Sequence, residues 1–422
     1  MQALVLAAGK GTRMRSDFPK VLHGILGRPL AGYVLEILEE LGITSPKVVI
    51  GSGAAQVRSF IEAGGKGRRN PVFILQREQK GTGHAVEMAR KYFPGTQEEI
   101  LIWPGDMPFL KRQTVREFIK RHKESGAEAS ALSSLQTDPA GYGRILRAGG
   151  RFYAIREELD ASAAEKKIQE VNSGIYLFKT KPLFDALKKI RPANRKKEFY
   201  LTDTIEILSK EGRRLEAFAL ASEEEARGIN SRQDLAAGIQ IMKKREVEYH
   251  EERGVTFVAP DQTFVEPDVK IGRDTVIYPW CYIEAGVKIG KRCKIGPFAK
   301  IRRGTKIGDE AVIGSFVEVS RSRIGSKVLV KHLAYLGDAV VGEGTNIGAG
   351  AVTANFDGKN KHVTQIGKKV LIGSNTVLIA PVAVADRART GAGSVVPRGT
   401  KIKKGQVVAG VPARPLAKNK TG

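Results

Sequence analysis

"IGRDTVIYPWCYIEAGVKIGKRCKIGPFAKIRRGTKIG" occupies residues 271–308, and its aliphatic spacing decides how the second half of the chain folds. Ile271, Ile277, Ile283, Ile289, Ile295, Ile301 and Ile307 follow one another six residues apart, often with glycine next. The same spacing continues at Ile313 and Val319 and resumes after one-residue slips at Ile324, Val330 and Leu336, then at Val341 and Ile347. From Ile366 it runs through Ile372, Leu378, Val384, Thr390, Val396 and Ile402 to Val408. A sustained hexapeptide repeat is the signature of a parallel β-helix, each six-residue side sending one aliphatic residue inward. The repeat breaks once: Thr353 and Ile366 are thirteen residues apart, and "TANFDGKNKHVTQ" (353–365) carries Asn, Asp, Gly and Lys instead of aliphatic filling. A loop must leave the coil there, and loops on a rigid scaffold commonly carry function. Just before it, "VKHLAYLGD" places His332 and Tyr335 three apart among apolar neighbours.

The first half has a different rhythm. "QALVLA" reads as a buried strand, "PLAGYVLEILEELG" as an amphipathic helix stopped by Gly42, and "KVVIG", "VFILQ" and "ILIWPGD" as further short strands. Alternation of strands and helices predicts a mostly parallel sheet covered on both faces, with ligands bound beyond the carboxyl ends of its strands. Two features fall at such ends: Asp106 in "WPGDMP" and the stretch "LAAGKGTRMRSDFPK" (6–20). Its glycines let backbone N–H groups approach a ligand, and with Arg13 and Lys20 nearby they form an anion cradle; a plain strand-to-helix turn with solvated charges is the competing reading. "SRQDLAAGIQIMKKREVEYHEERG" then reads as a connecting helix ending near Gly254, which gives domains at 1–230 and 255–422 joined by a linker at 231–254.

Composition narrows the classes. The chain has 422 residues, 41% of them hydrophobic, enough for a sizeable core in each half. No apolar run approaches a membrane span, and the N-terminus lacks the basic n-region of a signal peptide. Cys281 and Cys293 have no metal-ligand spacing, and a reducing cytoplasm is expected. A formal charge of +25 favours anionic ligands such as nucleotides. The cations form only short clusters (Lys66–Arg69, Arg195–Lys197, Lys401–Lys404) without a nucleic-acid-binding signature, so neither nucleic acid nor membrane is an expected partner.

Taken together, "LAAGKGTRM…PKVL", "QREQKGTGHA", "WPGDMP", "GYGRI", "QEVNSGIY", "FYLTD" and "GIN" resemble a sugar-1-phosphate nucleotidyltransferase domain. The hexapeptide half, with "KHLAYLGD", "NIGAG" and "NFDGKNK", is similar to the acetyltransferase domain of the same enzymes. The resemblance, from residue 1 to about 396, is to the family that joins N-acetylglucosamine-1-phosphate uridylyltransferase to glucosamine-1-phosphate N-acetyltransferase. It implies a Rossmann-like first domain, a left-handed parallel β-helix as the second, a homotrimer, and synthesis of UDP-N-acetylglucosamine from UTP, acetyl-CoA and the two sugar phosphates.

For the first site the resemblance implies that Leu6, Ala7, Ala8 and Gly9 contact the nucleotide, that Gly11, Thr12 and Arg13 complete the phosphate loop, and that Lys20 sits on the triphosphate. Gln76, Gly81 and Thr82 match the uracil-recognising positions, Gly143, Glu157 and Asn172 those holding the amino sugar, and Asp106 and Asn230 those holding Mg²⁺. The attacking sugar phosphate is already anionic, so positioning and charge neutralisation suffice and no general base is needed. Attack of an amine on a thioester does need one, and His332 matches that base. Arg302, Tyr335, Asn346 and Lys361 match sugar-phosphate positions, Asn355 the substrate loop, the Ala349 N–H the oxyanion donor, and Ser374 and Ala392 the coenzyme lining. Three positions depart from the pattern: Ser320, with Arg321 beside it, stands where the family has a phosphate-binding lysine, Phe356 where it has a tyrosine, and Gly410 where it has an arginine. A single-function nucleotidyltransferase whose β-helix only trimerises it, or binds a regulatory sugar phosphate, is the alternative.

Overall fold

The computed structural model describes residues 1–64, 70–95 and 98–416, which fall into two compact units, Met1–Gly238 and Ile239–Gly422. The basic cluster at 66–69 and the last six residues of the expected second domain, 417–422, lie outside the described residues.

At the centre of the first unit lies the strand Gln2–Ala7, with Lys47–Ile50 and Glu99–Pro104 parallel to it on either side and Val72–Leu75 beyond. On the other flank Glu170–Lys179 runs antiparallel, followed by Ala129–Leu135 and Leu215–Leu220. Successive residues of a strand point to opposite faces, and here both faces are buried. Leu4, Ile100 and Ile102 join one core cluster, while Ala3, Val5, Leu101 and Trp103 join the other. That is why "QALVLA" and "ILIWP" read as unbroken apolar runs rather than alternating ones. The helices Leu30–Glu40, Ala54–Gly64 and Arg112–Ser125 cover the face of Ala3 and Val5, and Thr180–Leu187 and Asp203–Lys210 cover the face of Leu4.

The second unit is a parallel β-helix with three faces, built from sheets of ten, eight and eight short strands. Each coil places one strand on each face, and like positions stack: Ile277 on Ile295 on Ile313, Ile283 on Ile301 on Val319, Ile289 on Ile307 on Ile324. These aliphatic residues form one continuous interior cluster in which Cys281 and Cys293 are also buried. Burial pushes both thiols up, Cys281 to about 11, so neither is a ready nucleophile. Buried threonines satisfy the backbone where the coil turns; Thr345 Oγ1 donates to Gly367 O at 2.7 Å and accepts from Val370 N at 3.1 Å. The loop expected after Thr353 leaves the coil and is closed by a bridge between Phe356 and Lys361.

The helix Arg232–Glu251 starts in the first unit and ends in the second. Arg232 donates to Met14 O at 3.3 Å, while Val247 packs into the β-helix interior. Among the described residues no helix is long and apolar enough to cross a membrane.

Candidate active sites

In the first unit the carboxyl ends of Gln2–Ala7 and Glu99–Pro104 lie side by side, tied by Gly105 N donating to Leu6 O at 2.9 Å. Leu6 and Ala7 end one strand, Asp106 follows the other, and Ala8 and Gly9 continue into the glycine loop. Gly11 turns that loop with φ of +61°, and a Cβ on it would stand 2.7 Å from Lys20 Cβ. Glycine is therefore required twice over, for the left-handed backbone and for the close approach of Lys20. Thr12 and Arg13 lie exposed on the short turn that follows.

Lys20 Nζ is ion-paired with Asp106 and donates to Asn230 Oδ1 at 3.0 Å. Three segments far apart in sequence thus meet at one cation. Asn230 is fixed by the next helix start: Asp234 accepts from Asn230 N at 3.0 Å and Ser231 N at 2.8 Å, and Ser231 Oγ accepts from Asp234 N at 3.1 Å. This reciprocal cap locks the residue before it. Ile229 N donating to Asp106 O at 2.9 Å completes the tie.

The second wall is set by "QREQKGTGHA". Gln76 is 3% exposed, and its Nε2 donates to Gly81 O at 3.2 Å and meets His84 Nδ1 at 3.0 Å. Gly81 has φ of +108°, and a Cβ there would lie 2.5 Å from Phe199 O. Thr82 Oγ1 accepts from Leu201 N at 3.0 Å, so this motif and "FYLTD" hold each other.

A third group surrounds Asn172, which lies where strand Glu170–Lys179 slips register. Such bulges re-aim side chains beside active sites. Asn172 N donates to Gly143 O at 2.8 Å, and its Nδ2 donates to Tyr176 Oη at 2.7 Å. Glu157 accepts from the Thr202 hydroxyl at 3.1 Å, and burial raises its carboxyl above the usual range despite that bond.

In the β-helix, pairing gathers scattered positions. The ladder Leu329–Asn346–Leu371–Arg389 stacks on one face. Three residues on from these, the same corner carries His332, Ala349, Ser374 and Ala392 on consecutive rungs about 4.8 Å apart. His332 is exposed and, among the described residues, its ring makes no hydrogen bond. Beside this column Trp280, Phe298 and Phe316 stack at 6.2 and 4.8 Å between ring centroids, with Leu333 on the next rung. All four are exposed. On the adjoining face Tyr335 stacks on Glu318, and Asn355 donates to Asp338. Arg302 lies between Glu284 and Glu318, at 3.6 and 3.1 Å. Lys361 and Phe356 stand on the exposed loop. Ser320 is fully buried, and Gly410 turns the chain near its end with φ of +97°.

The MobA-like NTP transferase domain family matches residues 3–199, the bacterial transferase hexapeptide repeat matches 268–303 and 286–321, and the hexapeptide repeat of succinyl-transferase matches 363–398. The bifunctional protein GlmU of Pelotomaculum thermopropionicum is 41% identical over 416 residues, 90% of each chain. That of Carboxydothermus hydrogenoformans is 40% identical over 94% of this chain and 95% of its own. The chain belongs to the GlmU family. Membership makes it bifunctional: a uridylyltransferase unit of nucleotidyltransferase fold joined to an acetyltransferase unit, the second a left-handed β-helix, acting on nucleotides and sugar phosphates.

Sequence reading alone missed the GlmU-fold supports. The Ser231–Asp234 cap was legible as an N-cap pattern. Thr202 and Asp338 sit inside quoted motifs yet show their contacts only in space.

Proposed function

We propose that the chain makes UDP-N-acetylglucosamine in two steps, acetylating glucosamine-1-phosphate with acetyl-CoA on the β-helix and then transferring uridylyl from UTP to N-acetylglucosamine-1-phosphate on the first unit. The observation that carries the reading is the meeting of Lys20, Asp106 and Asn230 at adjacent strand ends. The Asp106 carboxylate and the Asn230 amide oxygen converge on one cationic point, a hard oxygen-donor set suited to Mg²⁺. Among the described residues no group of three or more His, Cys, Asp or Glu side chains is arranged to hold a metal ion, so this one would take its other ligands from phosphates and water. When bound it would supply neutralisation of phosphate charge.

In the uridylyl step the glycine loop from Leu6 to Thr12 presents backbone N–H groups to the triphosphate, and Arg13 and Lys20 neutralise it. Lys20 is parked on Asp106 in this structure and turns to the phosphates when the nucleotide binds. Gln76, Gly81 and Thr82 read the uracil, the amide of Gln76 offering both a donor and an acceptor. Gly143, Glu157 and Asn172 hold the acetylated sugar so that its phosphate oxygen lines up on the α-phosphorus, and pyrophosphate leaves.

In the acetyl step His332 accepts the proton of the attacking amine, and the Ala349 N–H steadies the oxyanion. Ser374 and Ala392, on the same corner, line the extended coenzyme, while Arg302, Tyr335, Asn346, Asn355 and Lys361 hold the sugar phosphate. A corner is convex and cannot enclose a substrate by itself. The exposed stripe of Trp280, Phe298, Phe316 and Leu333 is what a neighbouring copy would cover, which supports an assembly of copies; that the assembly is a homotrimer in the cytoplasm is part of the same proposal. Assaying the two half-reactions separately on purified protein is the test, with light scattering for the assembly. Absence of acetyl transfer, or transfer by a monomer, overturns the second half of the reading.

A further inference from the structure

Gly143, Glu157 and Asn172 lie on three separate segments of the first unit, and one residue meets the chain neighbour of each. Arg144 opens the strand Arg144–Ala148 directly after Gly143, yet only 1% of it is exposed. Its Nη1 donates to Tyr142 O, on the other side of Gly143. Its Nη2 lies 2.7 Å from Glu158 Oε2, next to Glu157, and donates to Lys166 O at 3.3 Å. Lys166 belongs to the short turn Glu165–Lys167 and reaches back to Glu158 Oε1 at 3.8 Å. Through its backbone Arg144 pairs with Val171, the residue before Asn172, and with Arg156, the residue before Glu157.

Burying a guanidinium is costly, and an apolar side chain of similar volume often serves stability as well or better. Here Nε has no hydrogen-bond partner, so part of that cost is not offset. What an arginine supplies and an apolar residue lacks is a rigid fork that holds several acceptors at fixed angles. The segments it joins have little slack. A Cβ on Gly143 would stand 3.2 Å from Ile155 Cγ2 and 3.6 Å from Asn172 Cβ, and Asn172 N donates to Gly143 O at 2.8 Å. A drift of the Tyr142 turn therefore carries Gly143 and Asn172 with it. Among the described residues none of the Arg144 bonds goes to the Lys20 knot or to Gln76, Gly81 and Thr82.

We infer that Arg144 is a positioning residue for the sugar end of the uridylyl site, holding Gly143, Glu157 and Asn172 at fixed distances from one another while staying clear of the substrate. The inference rests on the reading that these three residues hold the sugar.

The test is Arg144→Met, which fills the volume and removes the fork. Small misplacement of a binding wall predicts a KM for N-acetylglucosamine-1-phosphate about 10- to 100-fold higher, with the KM for UTP and acetyl transfer unchanged. Arg144→Lys keeps the charge but offers one nitrogen to three acceptors, and is expected to recover only part of the loss. Combined with Asn172→Ala, the loss from Arg144→Met should be less than additive, because both act on one wall. A merely structural role would lower the active fraction for both substrates and add independently. An equal rise in the KM for UTP, an unchanged KM for the sugar phosphate, or full additivity overturns the assignment. If Arg144→Met does not fold, Arg144→Lys carries the same comparison. Asn172→Ala separates the two failures. If it leaves the sugar-phosphate KM unchanged, the reading of the sugar wall fails and this inference falls with it. If it raises that KM while both Arg144 variants do not, this inference alone fails.

Discussion

The two candidate sites solve opposite problems. In the first unit the charged groups are already paired before any ligand arrives: Lys20, Asp106 and Asn230 form a mostly buried knot where two buried strands end. In the β-helix, His332 stands exposed on a corner, and the apolar stripe beside it is open. The difference matches the chemistry proposed for each. Phosphoryl chemistry with an anionic nucleophile needs preorganised charge in a concave, water-poor place. A general base needs reach to a proton, and its enclosure can come from another surface.

Substitutions can break this contrast. The largest effect is expected for His332→Ala, which should slow acetyl transfer on the order of 10²–10⁴-fold and leave uridylyl transfer untouched in separate assays. Uridylyl loss in that variant would mean the two sites are not independent. Asp106→Ala is the mirror image, losing uridylyl transfer by about 10³-fold, as follows from several kcal/mol of charge stabilisation, with acetyl transfer intact. Pyrophosphate release that survives the change would remove Asp106 from the site. Lys20→Ala should be milder and selective, raising the KM for UTP roughly 10- to 100-fold with little change for the sugar phosphate. Equal loss for both substrates would place the lysine elsewhere.

The smallest effect sharpens the contrast from the stability side. Burial, then the charges of Glu157 and Glu206, raise Asp203 in the first unit to about 6. The folded state thus binds this proton more tightly than the unfolded chain, and it is penalised when pH rises through 6. Asp203→Asn should therefore be stabilising above pH 6 by up to about 1 kcal/mol, discounted for partial exposure, and the gain should vanish toward pH 4. Chemical denaturation of both proteins from pH 4 to 8 measures it; a difference that stays flat with pH would show that the carboxyl is not desolvated.

Much of this was legible in one dimension. The spacing of six between Ile271 and Ile307 predicts the β-helix because each side of such a coil sends one aliphatic residue inward, and the structure stacks those residues as expected. The glycine loop and Asp106 were legible as strand-end features of an α/β sheet. What sequence could not convey is which side chain neutralises which. Lys20 and Asn230 are 210 residues apart, and their contact depends on the Ser231–Asp234 cap and on strand order.

The β-helix divides the same way. By itself the sequence determined its period, its interior residues and the place where a loop departs, because burying one aliphatic residue per side is a local, repeated demand. Only the tertiary structure decided that His332, Ala349, Ser374 and Ala392 share one corner, and that Arg321 covers Ser320 while gripping Asp338. Rung-to-rung register fixes those neighbours, and the slips and the loop shift that register by amounts that interior spacing does not translate into outward-facing contacts.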